Sequence, residues 1–220
     1  MPFRPLPGPF LDEVGAVASR PHVAVDLGCG DGALGRLLTG TGLALVGLDL
    51  VAEPGALRPL VVGDALRPPL LPGSCDLVLA ANLVRHLAPR HRDLGFLSGW
   101  LRLLRPGGAL YVFEDAPRRA GGPAGHYGRL QDLLARLVPD QRGPLLDLGR
   151  FSARARRLGA VVASGTFTNS QPLDADAVLA LLARGRPRPG DDVDTLMKAI
   201  AADGLACGPA WWARLGRETS

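Results

Sequence analysis

Three glycines in five residues, Gly28, Gly30 and Gly32, separate an apolar run from a helical pattern. HVAVDLGCG (22–30) reads as a buried strand that runs into a tight turn, and GALGRLLTG (32–40) as a helix stopped at Gly40. Such a turn lets a ligand approach the main chain, and the helix that follows presents unpaired N–H groups. A strand–glycine turn–helix unit of this kind belongs to sheets whose strands run parallel.

The rest of the chain continues that pattern. LALVGLDL (43–50), LVVGDA (60–65) and CDLVLAAN (75–82) read as further strands, each a continuous rather than alternating apolar run. PRHRDLGFLSGWLRLL (89–104) places Leu94, Leu97, Leu101 and Leu104 on one face of a helix. Pro106-Gly107-Gly108 is expected to end it before a fifth strand, ALYVFED (109–115). Continuous apolar strands imply a parallel sheet covered on both faces. The fold class is therefore α/β, a doubly wound, mostly parallel seven-stranded sheet with helices on both faces and the last strand antiparallel at or near an edge. AVVASGTFT (160–168) would be the sixth strand and the Trp211–Trp212 segment the seventh.

Residues 1–20 are expected to be an N-terminal extension with a short helix, and 21–220 a single domain. Within it, APRRAGGPAGHYGR (116–129) reads as a mobile loop that opens a flexible, partly helical insertion to 158. Residues 170–220 would be a variable C-terminal part. DADAVLALLAR (174–184) reads as a helix capped by Asp174, RGRPRPGDD (184–192) as a linker and 191–204 as another helix.

Composition narrows the classes. The 25 basic and 21 acidic residues give a net charge of +4, almost all of the positive charge from arginine spread along the chain. Aromatics are only 5%, whereas a nucleic-acid surface concentrates basic residues among aromatics, so this balance argues against a nucleic-acid partner. Three distant cysteines form neither a disulfide framework nor a zinc ribbon, and no metal is expected. No apolar run reaches the ~20 residues of a membrane span, and MPFRPLPGPF lacks a signal peptide's apolar region. The expectation is a cytoplasmic protein without a membrane partner.

The turn itself fits two ligands. Gly30-Asp31-Gly32-Ala33-Leu34-Gly35 satisfies the dinucleotide pattern, and Asp49, 21 residues after Gly28, suits a ribose diol in either case. Charge separates them. Carboxylates at Asp26 and Asp31 would repel a pyrophosphate, at about 4 kcal/mol for a like-charge pair ~4 Å apart at an effective dielectric of about 20. S-adenosylmethionine instead brings an ammonium and a sulfonium. The plainer alternative is that both aspartates only cap the turn.

Over roughly residues 20–170 the chain resembles the class I S-adenosylmethionine-dependent methyltransferases. VDLGCGDGALG (25–35) is similar to their first motif, VGLDL (46–50) to the acidic strand end and GDA (63–65) to the adenine segment. CDLVLAANLVRHL (75–87) resembles the fourth-strand motif, and LRLLRPGGALYVFE (101–114) the hairpin and fifth strand. The resemblance implies that Asp26, Gly28, Cys29, Gly30 and Gly32 hold the methionine moiety. It also implies that Asp49 takes the ribose hydroxyls, that Leu50 packs on adenine, and that Asp64 and Ala65 meet the adenine edge. Asn82 and Leu83 would lie at the methionine end. The cofactor would be S-adenosyl-L-methionine, with S-adenosyl-L-homocysteine as product. AANLVRH lacks the signature of nucleic-acid amino methyltransferases, and RPPLLPGS replaces the third helix.

Methyl transfer from a sulfonium needs positioning more than acid–base chemistry. His86, just past the fourth strand, is a candidate base or a helix cap. Tyr127, with His126 in the arginine-containing loop, is a candidate lid residue that reaches substrate. Arg118, Arg119 and Arg129 would attract an anionic substrate or remain solvated. Small-molecule methyl transfer is the leading function; a regulatory or scaffold protein without turnover, and an RNA or protein methyltransferase, stay open beside it.

Overall fold

The computed structural model describes residues 6–52, 59–116, 122–137, 146–168, 182 and 192–217. Seven strands form one sheet: β1 (Ala24–Leu27), β2 (Leu45–Asp49), β3 (Leu60–Val62), β4 (Cys75–Ala81), β5 (Leu104–Asp115), β6 (Ala160–Thr168) and β7 (Pro209–Arg217). Their order is β3-β2-β1-β4-β5-β7-β6. β1 to β5 run parallel, and β7 is antiparallel to both of its neighbours. The final strand thus lies one place in from the edge, and β6 is the edge itself.

Seven helices accompany the sheet among the described residues: α1 (Gly8–Ala18), α2 (Ala33–Leu37), α3 (Val84–Leu87), α4 (Phe96–Leu103), α5 (Gly122–Leu137), α6 (Leu148–Arg157) and α7 (Val193–Asp203). Every residue of β1, and all of β4 but its last, is buried, as strands covered on both faces require. One core joins Leu27, Val78 and Val112 to Leu97, Trp100 and Phe151 of α4 and α6. The other joins Leu77, Leu79 and Phe113 to Phe10, Val14 and Leu34.

The expected N-terminal extension covers the sheet. Phe10 of α1 is fully buried, edge-on to Tyr111 and Phe113 with both ring centroids at 4.9 Å. Burial of a phenylalanine on this scale contributes about 1.5–3 kcal/mol. Glu13 accepts from Arg214 Nε at 2.6 Å and from the Tyr111 hydroxyl at 2.8 Å, so α1 is fastened to β5 and β7.

Two expected boundaries move. The leucine-striped helix begins only at Phe96, because Leu94 adopts φ 58°. Its end is Leu103, and β5 then starts at Leu104 with Pro106-Gly107-Gly108 inside the strand. Pairing shifts from Cys75↔Leu104 to Leu77↔Ala109, which makes these residues a bulge rather than a stop. Gly108 is required there: a Cβ would lie 2.9 Å from the Asp76 carbonyl oxygen.

The segment read as loop to residue 129 is helical from Gly122 onward. Tyr127, Leu130 and Leu134, spaced 3 and 4 apart, bury one face of α5 against Leu196 and Ile200 of α7. That burial outweighs the poor helix propensity of its glycines and proline. Arg118, Arg119, Asp174, the linker 184–191 and all of the expected helix 174–184 except Leu182 lie outside the described residues.

Candidate cofactor crevice

The glycine turn is pinned to the neighbouring strand. Gly28 and Cys29 both donate their N–H groups to the Leu48 carbonyl, at 2.7 and 3.2 Å. Gly30 N–H donates to Asp49 Oδ2 at 2.8 Å. The main chain passes through φ 67° at Gly28, and a Cβ there would meet Leu83 Cδ1 at 2.8 Å. Only glycine lets the side chain of Leu83 lie on this turn.

Beside it opens a crevice of about 460 Å³ at the C-terminal ends of β1, β2 and β4. Gly28, Asp49, Leu50, Asp64, Ala65, Asn82, Leu83 and His86 all line it, with Gly63, Ala81, Leu87 and Arg90. Asp26 in β1 and Cys29, Gly30 and Gly32 in the bordering turn are not in the lining. A larger hollow of about 740 Å³ lies at the opposite ends of β1 and β2, around Val23, Leu43 and Pro59, and holds none of the predicted site residues.

The two aspartates of the turn have different environments. Asp31 is exposed, caps Ala33 N–H at 3.1 Å and pairs with Arg36 at 2.9 Å. It is therefore a turn cap and not a second carboxylate facing the ligand. Asp26 is 1% exposed, and neither carboxyl oxygen has a hydrogen-bond partner among the described residues. Burial, and then the charge of Asp49, push its carboxyl up to about 8. A buried carboxyl with both oxygens unmatched fits a cation, whose charge would favour its ionised form.

The other end of the crevice suits a flat base. Leu50 is 66% exposed at the lip, and Asp64 fixes its own loop by accepting from Leu66 N–H at 2.8 Å. With the third helix absent, this loop is held from below: buried Trp100 donates its indole N–H to the Ala65 carbonyl at 2.7 Å. Trp100 escaped the sequence reading because it sits in the core-facing stripe of α4, where an aromatic residue signals packing alone.

Asn82 follows β4 directly, with φ 53°. Its N–H donates to the Phe113 carbonyl at 2.7 Å, and its Oδ1 accepts from Asp115 N–H at 3.1 Å. Next to it lies a buried polar group that the sequence did not reveal. Asp115 Oδ2 accepts from the Tyr127 hydroxyl at 2.6 Å and lies 3.9 Å from Arg85 Nη1. Glu114 Oε1 accepts from Arg85 N–H at 3.2 Å, and burial pushes this carboxyl up to about 8. Tyr127 is 3% exposed on α5, so its hydroxyl is committed to Asp115 instead of reaching out from a loop. Its neighbour His126 is also buried, paired with Asp203 at 2.9 Å and with Arg129.

A parallel sheet whose first turn carries glycines, whose second strand ends in an aspartate and whose last strand slots in antiparallel is the class I S-adenosylmethionine-dependent methyltransferase fold. Residues 25–112 match the family model described as a methyltransferase domain. The family's cofactor is S-adenosylmethionine, and the unmatched Asp26 carboxyl and the crevice beside Asp49 fit its cationic tail and its ribose.

Among curated proteins, the chain is 38% identical over 112 residues to demethylmenaquinone methyltransferase of Beutenbergia cavernae, covering 47% of this chain and 44% of that one. It is 29% identical over 116 residues to a tRNA (carboxymethyluridine(34)-5-O)-methyltransferase of Macaca fascicularis, covering 50% and 17%. The matched segment thus spans less than half the length of these relatives. A crystal structure of a SAM-dependent methyltransferase from Archaeoglobus fulgidus superposes with a TM-score of 0.58 at 15% identity, over 94% of this chain and 91% of that one, a likeness of fold. No helix among the described residues is long and apolar enough to cross a membrane.

Proposed function

We propose that this protein transfers the methyl group of S-adenosylmethionine to a small-molecule acceptor. The observation that carries this reading is the buried Asp26 carboxyl, unmatched at the head of β1 beside the Asp49 crevice. Bound there, the cofactor supplies an electrophilic methyl on a sulfonium whose departure leaves a neutral thioether. Asp26 would face the cationic amino-acid tail, and Asp49 would accept from the ribose hydroxyls. Leu50 and Leu83 would exclude water on two sides, and Asp64 and Ala65 would meet the base edge. Cys29, Gly30 and Gly32 would shape the turn rather than touch the acceptor.

His86 lines the same crevice and is the candidate to take a proton from an acceptor, whereas Tyr127 is buried with its hydroxyl on Asp115 and is not in the lining. Alignment of acceptor, methyl and sulfur accounts for most of the rate such a site can supply. A small acceptor is favoured by the likeness to demethylmenaquinone methyltransferase.

Calorimetric titration tests the first half, with micromolar binding of S-adenosylmethionine and S-adenosylhomocysteine and none of NAD expected. For the second, the protein is incubated with methyl-labelled cofactor and a cell extract fractionated into RNA, protein and low-mass material. Label in the low-mass fraction supports the reading. Label in RNA or protein overturns the acceptor class, and no transfer to any fraction favours a regulatory role.

A further inference from the structure

The buried group behind Asn82 has no part in the chemistry above, yet it connects the crevice to α5. The crevice has two ends. Exposed Leu50 and Asp64, with buried Ala65, suit a base, while Gly28, two residues after the unmatched Asp26 carboxyl, and Leu83, which lies on Gly28, suit a charged tail. Asn82 and Leu83 form the wall at the tail end. Asn82 holds a left-handed conformation that side chains rarely adopt, and it does so with its Oδ1 on Asp115 N–H. The carboxylate of Asp115 is in turn fixed by Tyr127 from α5 and by Arg85 from α3. Arg85 itself is anchored through its own N–H to Glu114. Tyr127, Asp115, Arg85 and Glu114 are each at most 3% exposed, so no solvent competes for these bonds.

We propose that Asp115 is a positioning residue for the amino-acid half of the cofactor, acting through Asn82 and held in place by Tyr127. The assignment rests on the functional reading given above and adds residues that touch neither cofactor nor acceptor. Loosening Asp115 lets the Asn82–Leu83 wall leave its strained conformation, and only ligands that use the tail end lose affinity.

The test compares two ligands, S-adenosylhomocysteine, which has the amino-acid tail, and 5′-methylthioadenosine, which lacks it. Tyr127→Phe removes one hydroxyl from a buried site and keeps the ring. It is expected to weaken S-adenosylhomocysteine about fivefold to tenfold and to leave 5′-methylthioadenosine within twofold. Asn82→Gly, which accepts the left-handed backbone without strain but loses Oδ1, should show the same split. The double variant should lose little more than the larger single loss, since both break one chain of bonds. Ile200→Val loosens α5 against α7 without touching a hydrogen bond and should leave both affinities unchanged.

Equal losses for both ligands, or unchanged affinity for S-adenosylhomocysteine in Tyr127→Phe and Asn82→Gly, would overturn the assignment while leaving the methyltransferase reading intact. Failure of the wild-type protein to bind either ligand would remove that reading and the assignment with it.

Discussion

Asp49 accepts the Gly30 N–H at 2.8 Å and thereby ties the end of β2 to the turn that follows β1. The same carboxylate lines the crevice, so one side chain both shapes the turn and offers acceptor capacity to a diol. Asp49→Ala is expected to weaken S-adenosylhomocysteine at least tenfold by calorimetry, because a charged acceptor is lost together with the turn's anchor. An unchanged affinity would take Asp49 out of the site.

Cofactor binding should release a proton. Asp26 is protonated in the ligand-free protein at pH 7, since burial and the Asp49 charge push it up to about 8. An ammonium placed beside it favours the ionised form, so about one proton should leave per site. Titrations in buffers of different ionisation enthalpy measure that number, and Asp26→Asn should abolish the buffer dependence.

The same group sets a stability trend in the ligand-free protein. Its folded pKa lies above the ordinary carboxylate value, so the native state binds the extra proton and stability falls as pH rises from about 4 to 8. Glu114, raised by its burial, acts in the same direction. Asp26→Asn should therefore stabilise the ligand-free protein at pH 8, by upwards of about 1 kcal/mol in urea unfolding.

Trp100→Phe leaves the Ala65 carbonyl without its buried donor and removes part of a fully buried ring. The expected cost is about 1–3 kcal/mol. Because this bond holds the loop of Asp64 and Ala65, 5′-methylthioadenosine affinity should fall as well. A loss of stability with full nucleoside affinity would show that the loop is held by other contacts.

At the opposite end of the sheet, Asp76 is buried. It accepts from Arg20 at 2.7 Å and Val23 N–H at 2.9 Å, and it pairs with Arg105 at 3.0 Å. Burial raises its pKa, but these donors outweigh that and hold it below the ordinary value. Its contribution is present at neutral pH and is lost as pH falls through that depressed value. Asp76→Asn should cost about 2 kcal/mol at pH 7, and much less at pH 2.

The parallel strands were legible because each is a continuous apolar run ended by a turn residue, and β6 carries the expected bounds, 160–168. The glycine turn, Asp49 and Asp64 were readable as a pattern of residue types at fixed spacing. What could not be read depends on how the fold turns side chains toward one another. Asp31 and Asp26 are equivalent as sequence, but Arg36 turns onto Asp31 while Asp26 is buried in β1. The glycines before Tyr127 signalled loop, yet α7 supplies an apolar surface some 70 residues later that makes them helical. Asp115, Arg85 and Tyr127 carry no motif, since their relation arises only where α3, β5 and α5 converge. The slot of β7 follows from the same limit: local pattern gives a strand, but not its neighbours.

That slot has a consequence for assembly. β5 and β6 share no hydrogen bonds and meet only through residues 209–217. Until the ribosome has delivered those residues, both strands present bare N–H and C=O rows, a template for pairing with other chains. The growing polypeptide can complete the glycine turn and its crevice early, while this half must wait for a distant insertion. Premature termination before Pro209 would thus yield an aggregation-prone fragment even though every residue of the crevice is present.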